Sequence, residues 1–196
     1  MKALIGIDEV GRGPVAGPVA VGAFLIFDEA FISEVKAFSI PLRDSKQLSK
    51  IQREKWFEQI QIWQQEGKCD FAVSTVSAGE IDSHGISKAI KKALAETLDT
   101  LECDGEMLIL LDGALHAPAQ FNNQITIIKG DEKEPVISLA SIVAKVTRDR
   151  HMTKLAERYP KYGFEQHMGY GTSAHYEAIK KFGMTPLHRR SFLKNI

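Results

Sequence analysis

Apolar residues in this chain fall into two kinds of pattern, short continuous runs and stripes with helical spacing. The continuous runs predict five β-strands, at residues 3–7, 19–27, 71–76, 107–111 and 125–128. The run at 107–111 is continuously apolar, which is typical of a strand buried on both faces, and the run at 125–128 is similar but shorter. Three of the five runs lead directly into acidic residues.

Helical stripes lie between and after these strands. A capping box at Ser49 and Gln52 predicts a helix that ends at Gly67, with a stripe formed by Ile51, Trp56, Ile60 and Trp63. A similar pattern at Ser77 and Glu80 predicts a longer helix, with a stripe formed by Ile86, Ile90, Leu94, Leu98 and Leu101. Further helices are predicted at 135–158 and 173–182, around an irregular, glycine-rich segment at 163–172. Strands mixed with helices in this order predict an α/β fold with a mixed sheet.

Length and composition narrow the class of protein. The chain has 196 residues, of which 44% are hydrophobic and 26% charged, as expected for one globular domain over residues 1–196. The residues before Asp8 hold no apolar stretch of the kind a secretion signal needs, and no run approaches the roughly 18 residues of a membrane span. We therefore expect a cytoplasmic protein that has no membrane partner. Its two cysteines show neither a disulfide framework nor a zinc-ligand spacing.

The net charge is zero but unevenly distributed. Residues 133–196 hold 12 Lys and Arg against five Asp and Glu, so the remainder of the chain carries the opposite excess. Such a basic region favours a polyanionic partner, in particular a nucleic acid. Uneven distribution of solvated charge is the alternative, and charge alone does not decide between them.

Four carboxylates follow the strand-like runs: Asp8, Glu9, Asp112 and Asp131. If these strands are neighbours in one sheet, the four side chains converge. Carboxylates about 4 Å apart repel by roughly 4 kcal/mol per pair at an effective dielectric near ~20, so a cluster must take up protons or cations. Oxygen ligands without His or Cys favour Mg²⁺ or Mn²⁺, the ions of two-metal phosphodiester hydrolysis. Taken singly, each Asp is more often a turn or helix-cap residue.

The adjacent pair Asp8-Glu9 needs a special backbone. Neighbours in a continuing strand point to opposite faces, so both reach one site only if the chain changes conformation there, as Gly11 and Gly13 permit. The segment between these glycines fits neither a P-loop nor a dinucleotide-binding pattern. Its glycines allow close approach of the backbone to a ligand, with Arg12 available for a phosphate.

Several short motifs of the chain resemble those of one protein family. Residues 8–14, Asp-Glu-Val-Gly-Arg-Gly-Pro, resemble the opening motif of ribonuclease HII. Further matches follow in order along the chain, at residues 44–49, 111–113, 129–131, 140–150, 169–172 and 188–192. The resemblance spans the whole chain, and an ordered set of this kind is far more specific than any one motif.

The resemblance implies a ribonuclease H-like fold with a mixed sheet flanked by helices. It also implies a small helical C-terminal extension, over roughly residues 160–196, that contacts substrate. It further implies cleavage of RNA in RNA/DNA hybrids, and cleavage 5′ to single ribonucleotides in duplex DNA, with removal of ribonucleotides from DNA as the biological role. The residues implied to be catalytic and to bind two Mg²⁺ or Mn²⁺ ions are Asp8, Glu9, Asp112 and Asp131, the same four that strand position indicates.

The resemblance also implies which residues bind substrate. Gly11, Arg12 and Gly13 are expected to contact the region of the ribonucleotide 2′-hydroxyl through their backbone, and Tyr170 to stack on the sugar at the RNA-to-DNA junction. Lys46 matches a lysine that binds backbone phosphate, with a solvated loop lysine as the alternative. The basic residues of the predicted helix 135–158 either line the nucleic-acid groove or are simply exposed; they are Lys145, Arg148 and Arg150.

Some positions depart from the family pattern. Val10 replaces the usual alanine, which should matter little, and Met168 stands where a basic residue is common, which predicts a weaker phosphate contact. Residues 114–116, Ala-Leu-His, replace a segment that often carries asparagine, so a hydrogen bond from there is not expected. The C-terminus, residues 191–196, contains no clear sliding-clamp peptide, so no clamp partner is predicted, and we expect a monomer.

Three other functions compete with this interpretation. Ribonuclease HIII prefers runs of RNA but has an extra N-terminal domain, for which the residues before Asp8 leave no room. A nucleic-acid-binding module without activity is disfavoured because all four carboxylates are present. A metal-dependent phosphatase fits the basic C-terminal third less well.

Overall fold

The computed structural model describes residues 3–103 and 105–194 of the chain. In these two stretches the strands are β1 (Leu4–Val10), β2 (Val19–Ile26), β3 (Cys69–Val76), β4 (Leu108–Asp112) and β5 (Gln124–Ile127). The helices are α1 (Phe31–Ala37), α2 (Lys50–Gln65), α3 (Ala78–His84), α4 (Ile86–Thr100), α5 (Gly130–Lys133), α6 (Pro135–Arg158), α7 (Phe164–His167) and α8 (Ser173–Phe182), with a 3-10 turn at Arg190–Phe192.

The strands form one mixed sheet in the order β3-β2-β1-β4-β5. β1, β4 and β5 are parallel, whereas β2 pairs antiparallel with both β1 and β3. The mixed sheet flanked by helices is therefore confirmed. Because β1, β4 and β5 are adjacent and parallel, their carboxyl ends lie at one edge of the sheet.

Helices cover both faces of the sheet. Ile5 and Ile7 of β1 belong to a core shared with α3 and α4, while the opposite face packs against α2 and α6. At Gly6 an added Cβ atom would lie 2.2 Å from the carbonyl carbon of Val136, so the α6 backbone rests directly on β1. This close contact brings the side chains of α6 to the end of β1 that carries Asp8.

Several predicted elements differ in detail from the structure. The helix predicted after Ser77 is two helices, α3 and α4, because Gly85 between them has φ +82°. Ile51 is 70% exposed, so it does not belong to the buried stripe of α2. Strand β5 is an edge strand and not a buried one, since Ile125 is half exposed. The irregular segment 163–172 contains the short helix α7, whereas the predicted bounds of α6 and α8 are confirmed.

The tail beyond α6 packs on the loop that follows β1. Val15 and Ala16 donate backbone hydrogen bonds to Gly169, and Arg189 donates one to Val15. Residues 191–194 of the C-terminal segment are described, whereas Asn195 and Ile196 lie outside the described residues. In the described stretches, no helix combines the length and apolar character that a membrane crossing requires.

Candidate active site

Three of the four predicted carboxylates meet at the carboxyl ends of β1 and β4. One oxygen each from Asp8, Glu9 and Asp112 lies within 4.8 Å of the others. Asp8 and Glu9 are part of β1, which continues to Val10, so the expected change of conformation comes later, at Gly11 with φ +86°.

Register explains how neighbours on opposite faces of β1 reach one site. The pairing between β1 and β4 ends at Ile7 and Leu111, so in the same register Asp8 is level with Asp112, the last residue of β4, and Glu9 extends beyond the end of that strand. The two side chains leave opposite faces of β1, and at this end of the sheet their carboxylate oxygens come within 4.8 Å of each other. Asp112, the last residue of β4, completes the group.

Asp131 lies beside this group on the short helix α5, four residues beyond the end of β5. Its position depends on Asp112, whose Oδ1 accepts a hydrogen bond of 2.7 Å from the amide of Gly130. Lys46 also pairs with Asp131, with its Nζ 3.6 Å from Oδ2. The carboxylates of Asp44, Asp131 and Asp8 raise the pKa of Lys46, although partial burial acts to lower it.

Asp8 is the most strongly perturbed carboxyl group of the site. Burial is the main cause, and Glu9, Asp112 and Asp131 add their repulsion, which together raise its pKa to about 8. Ser141 on α6 hydrogen-bonds Asp8 and opposes part of this shift. Burial also raises the pKa of Glu9, partly offset by Arg12. The site therefore concentrates negative charge that only protons or cations relieve.

The predicted substrate residues lie around one cleft beside the carboxylates. Its lining includes Glu9, the loop Gly11-Arg12-Gly13, Lys46, Lys145 and Tyr170. The guanidinium of Arg12 is 3.5 Å from Glu9, and its side chain is mostly exposed. A Cβ atom at Gly13 would lie 3.9 Å from the ring of Tyr170, which is itself 45% exposed. The cleft thus presents cations, backbone and an aromatic ring on one side of the acidic group.

The basic residues of α6 occupy three different environments. Lys145 lines the cleft and pairs with Asp149 at 2.9 Å. Arg150 is exposed, pairs with Glu54 and stacks over Phe57. Arg148 matches neither predicted alternative, because it is fully buried and bonds only backbone carbonyls among the described residues.

Sequence reasoning missed the residues that support the site from behind. Ser141 hydrogen-bonds Asp8 and, at 2.8 Å, the hydroxyl of Ser45. The sequence did offer one sign of Ser141, which is a polar residue among the small apolar residues of a buried helix face. Arg189 lies in the matched motif at residues 188–192, but nothing in that motif indicates its contact with the Gly11-Arg12-Gly13 loop.

The residues that depart from the family pattern lie in defined environments. Val10 is buried, and Met168 packs against an apolar cluster that contains Met152 and Phe164. The carbonyl of Met168 accepts a hydrogen bond from Arg148. His116 is exposed, with its Nδ1 3.5 Å from the hydroxyl of Thr126.

Neutral histidines hold the backbone of Tyr170. The carbonyl of Tyr170 accepts from Nδ1 of His175 at 2.8 Å, so that nitrogen carries the proton. Nε2 of His175 then accepts from Nε2 of His188 at 3.1 Å, and Nδ1 of His188 accepts from the amide of Thr185. Each ring is an acceptor at one nitrogen, which requires both to be neutral.

Acid should therefore destabilise this part of the protein. Burial, with a contribution from His175, lowers the pKa of His188 from 6.5 to about 4. Between these values the unfolded chain binds a proton that the folded chain does not, so stability falls as the pH decreases. From pH 7 to 5 the contribution of His188 should be a loss of about 2 kcal/mol. In the metal-free protein the raised pKa of Asp8 acts in the opposite direction over the same range, so urea denaturation of the wild type must be compared with that of a His188 variant.

A matched pair of variants identifies the group responsible. Relative to the wild type, His188→Gln should be more stable at pH 5 than at pH 7 by about 2 kcal/mol, whereas the exposed His84→Gln should keep the pH dependence of the wild type. An unaltered pH dependence in His188→Gln would assign the effect to other groups.

Comparison with known proteins places the chain in a family. The family model described as Ribonuclease HII matches residues 5–195. Ribonuclease HII of Bacillus cereus (strain B4264) is 43% identical over 189 residues, which are 96% of this chain and 68% of that protein. Ribonuclease H2 from Pyrococcus horikoshii OT3 superimposes with a TM-score of 0.76 at 32% identity, covering 96% of this chain and 93% of that one.

A second solved structure agrees with the first. Ribonuclease HII in the PCNA:RNase HII complex from Archaeoglobus fulgidus superimposes with a TM-score of 0.75 at 26% identity, covering 96% of this chain and 94% of that one. The match in sequence and the match in fold extend over nearly the same residues. The chain belongs to the ribonuclease HII family of metal-dependent endoribonucleases.

Proposed function

We propose that the protein cuts the RNA strand of RNA/DNA hybrids and cuts 5′ to single ribonucleotides embedded in duplex DNA. The products carry 5′-phosphate and 3′-hydroxyl ends. The observation that carries this proposal is the meeting of Asp8, Glu9 and Asp112 oxygens within 4.8 Å, beside the Gly11-Arg12-Gly13 loop. Removal of ribonucleotides from DNA, in the cytoplasm, is the role that follows.

The acidic group fits divalent cations. Its donors are all carboxylate oxygens, and the raised pKa of Asp8 indicates negative charge in need of compensation. Hard oxygen donors suit Mg²⁺ or Mn²⁺. We propose that Asp8, Glu9, Asp112 and Asp131 hold two such ions, which when bound supply an activated water and neutralise the scissile phosphate.

The remaining residues of the cleft position the substrate. Gly11 and Gly13 have no side chain, so the loop backbone is open to a sugar and its phosphate. Arg12 and Lys46 supply positive charge for the nucleic-acid backbone, and Tyr170 an exposed ring for stacking on the sugar. A 2′-hydroxyl is the group that distinguishes ribose from deoxyribose, so selectivity requires contacts of this kind.

We further propose that residues 1–196 act as one catalytic domain and as a monomer, with roughly residues 160–196 as its substrate-contacting extension. Support comes from Tyr170, which lies in the cleft, and from the packing of the tail on residues 15–17. We propose no sliding-clamp partner. Ser191 in the C-terminal segment is held by Asp82 within the chain itself.

Cleavage of a labelled DNA duplex with one ribonucleotide tests this function. We expect a single cut 5′ to the ribonucleotide with Mg²⁺ or Mn²⁺, and none with chelator or in an all-DNA control. Cutting of long hybrids only would favour the specificity of ribonuclease HIII. If neither substrate is cut, a nucleic-acid-binding role without activity replaces the proposal.

Tyr170→Ala should weaken recognition of the junction. We expect cleavage at a single ribonucleotide to fall by about tenfold, since stacking of an aromatic ring is worth about 1–3 kcal/mol. Cleavage within a long hybrid, which has no such junction at the cut, should fall less. Kinetics on both substrates measure the difference, and metal titrations serve as the control. Equal losses on the two substrates would contradict a role in sensing the junction.

A further inference from the structure

The loop after β1 is held from behind by an arginine of the C-terminal tail. Arg189 is fully buried, and its guanidinium donates three hydrogen bonds to backbone carbonyls. The acceptors are Gly11 at 2.7 Å, Arg12 at 2.9 Å and Gly17 at 3.0 Å. One side chain thus fixes both ends of this loop.

A second buried guanidinium supports the same loop. Arg148 of α6 donates to the carbonyls of Pro18 at 2.8 Å, Met168 at 3.0 Å and Ala16 at 3.4 Å. Burial, together with this neighbour, lowers the pKa of Arg189 to about 9, so it remains charged at neutral pH. The loop therefore lies between two cations and the cleft.

Peptide geometry determines where the amides of the loop point. The described peptide bonds are all trans, and in a trans peptide the C=O of one residue and the N–H of the next point in opposite directions. Since the carbonyls of Gly11 and Arg12 point to Arg189, the N–H groups of Arg12 and Gly13 point away from it. These residues line the cleft that contains Glu9 and Tyr170.

The tail that carries Arg189 is itself fixed by a carboxylate of α3. Asp82 accepts from the amides of Arg190 at 2.8 Å and Ser191 at 2.9 Å, and from the hydroxyl of Ser191. The amide of Arg189 donates to Val15 at 2.8 Å. Backbone and side chain of Arg189 are both restrained.

We propose that Arg189 is a positioning residue for ribonucleotide recognition, which holds the loop so that the Arg12 and Gly13 amides face the ribose 2′-hydroxyl and its adjoining phosphate. This inference rests on the proposed function. Donors that are already oriented lose little entropy when substrate binds, and a buried positive charge behind the peptides strengthens them. The segment Gly11-Arg12-Gly13 has two glycines in three residues, so its own backbone is flexible and tertiary contacts such as those of Arg189 fix its conformation.

Equilibrium binding separates positioning from general stability. The affinity of each protein is measured for a duplex with one ribonucleotide and for the same duplex made entirely of DNA. Ca²⁺ replaces the catalytic metal so that the duplex is bound without being cut, and recovery of intact strands confirms this. The wild-type protein should bind the duplex with one ribonucleotide more tightly than the all-DNA duplex. Arg189→Lys should reduce that preference by at least about fivefold, the equivalent of one hydrogen bond, while affinity for the DNA duplex changes little.

Two further variants make the experiment decisive. Asp82→Asn only loosens the tail and should reduce the preference in the same direction by a smaller factor, even if Arg189→Lys does not fold. Arg158→Gln alters an exposed arginine at the end of α6, outside the C-terminal extension, and should leave the preference unchanged.

The outcomes distinguish this inference from the function on which it rests. A wild-type protein that discriminates and cuts, with equal discrimination in Arg189→Lys and Asp82→Asn, overturns the role of Arg189 alone. Equal losses of affinity for both duplexes assign Arg189 a merely structural role and overturn it too. A wild-type protein that neither discriminates nor cuts overturns the proposed function, and the inference with it.

Discussion

Asp8→Asn should reduce cleavage by about 10³-fold or more while it stabilises the metal-free protein. Asn keeps the size of the side chain and a hydrogen-bond acceptor for the amide of Glu9, which lies 2.7 Å from Asp8 Oδ1. It removes the negative charge that we propose is needed to hold the metal ions. Activity and stability are thus expected to change in opposite directions.

The sign of the stability change follows from the raised pKa. The pKa of Asp8 is near 3.8 in the unfolded chain and about 8 in the folded one. Between these values the folded state binds a proton that the unfolded state does not, so stability falls as the pH rises towards 8. Asn has no such dependence, and metal-free Asp8→Asn should be more stable above pH 8 by about 2 to 4 kcal/mol.

Thermal denaturation with chelator at pH 6 and pH 8.5 measures this difference. We expect the melting temperature of the variant to exceed that of the wild type by about 5 °C or more at the higher pH, and by less at the lower. Mg²⁺ or Mn²⁺ should raise the wild-type value and reduce the gap. Asp99→Asn, at an exposed position of α4, is the control for activity and stability. An active Asp8→Asn protein would remove Asp8 from the proposed catalytic set.

The position of the acidic group could be predicted because it depends on local patterns. A buried parallel strand is a continuous apolar run, and the first polar residue after it lies at the carboxyl edge of the sheet. Asp112 satisfies this rule directly at the end of β4. Asp131 satisfies it only indirectly, because the hydrogen bond between Asp112 and Gly130 brings α5 towards β4.

The supporting residues could not be predicted for a different reason. Arg189 and Arg148 bond carbonyl oxygens more than 100 residues away in sequence, and every residue has a carbonyl. The type of residue that supplies the accepting carbonyl therefore does not reveal that an arginine binds there. Short helices such as α5 and α7, of four residues each, were also missed, because their stability depends on tertiary packing and not on a repeated pattern.

Gly6→Ala should strongly destabilise the protein, because the backbone of α6 rests directly on this glycine of β1. The added Cβ atom would lie 2.2 Å from the carbonyl carbon of Val136 and 2.5 Å from the amide nitrogen of Ile137. These are backbone atoms of α6, which cannot move aside as a flexible side chain does. We expect a loss of at least about 3 kcal/mol, and a melting temperature lower by about 10 °C.

Gly79→Ala is the matched control, because the same methyl group is added where there is space. Nothing lies within 4 Å of a Cβ atom at Gly79, which is in the helix α3. Alanine is the better helix former, so this variant should be more stable by about 0.5 to 1 kcal/mol. Chemical denaturation of both variants measures the two changes, and a Gly6→Ala protein as stable as the wild type would show that α6 can move away from β1 at little cost.

The effect of Gly6→Ala should extend to the candidate active site. Gly6 and Asp8 are two residues apart and point to the same face of β1, towards Val136 and Ser141 of α6. If α6 moves to make room for the methyl group, Ser141 moves with it and its hydrogen bond to Asp8 lengthens. We therefore expect weaker activity even in the folded fraction, at a temperature well below the transition. Full specific activity in that fraction would indicate that the spacing between β1 and α6 matters for stability but not for the geometry of the carboxylates.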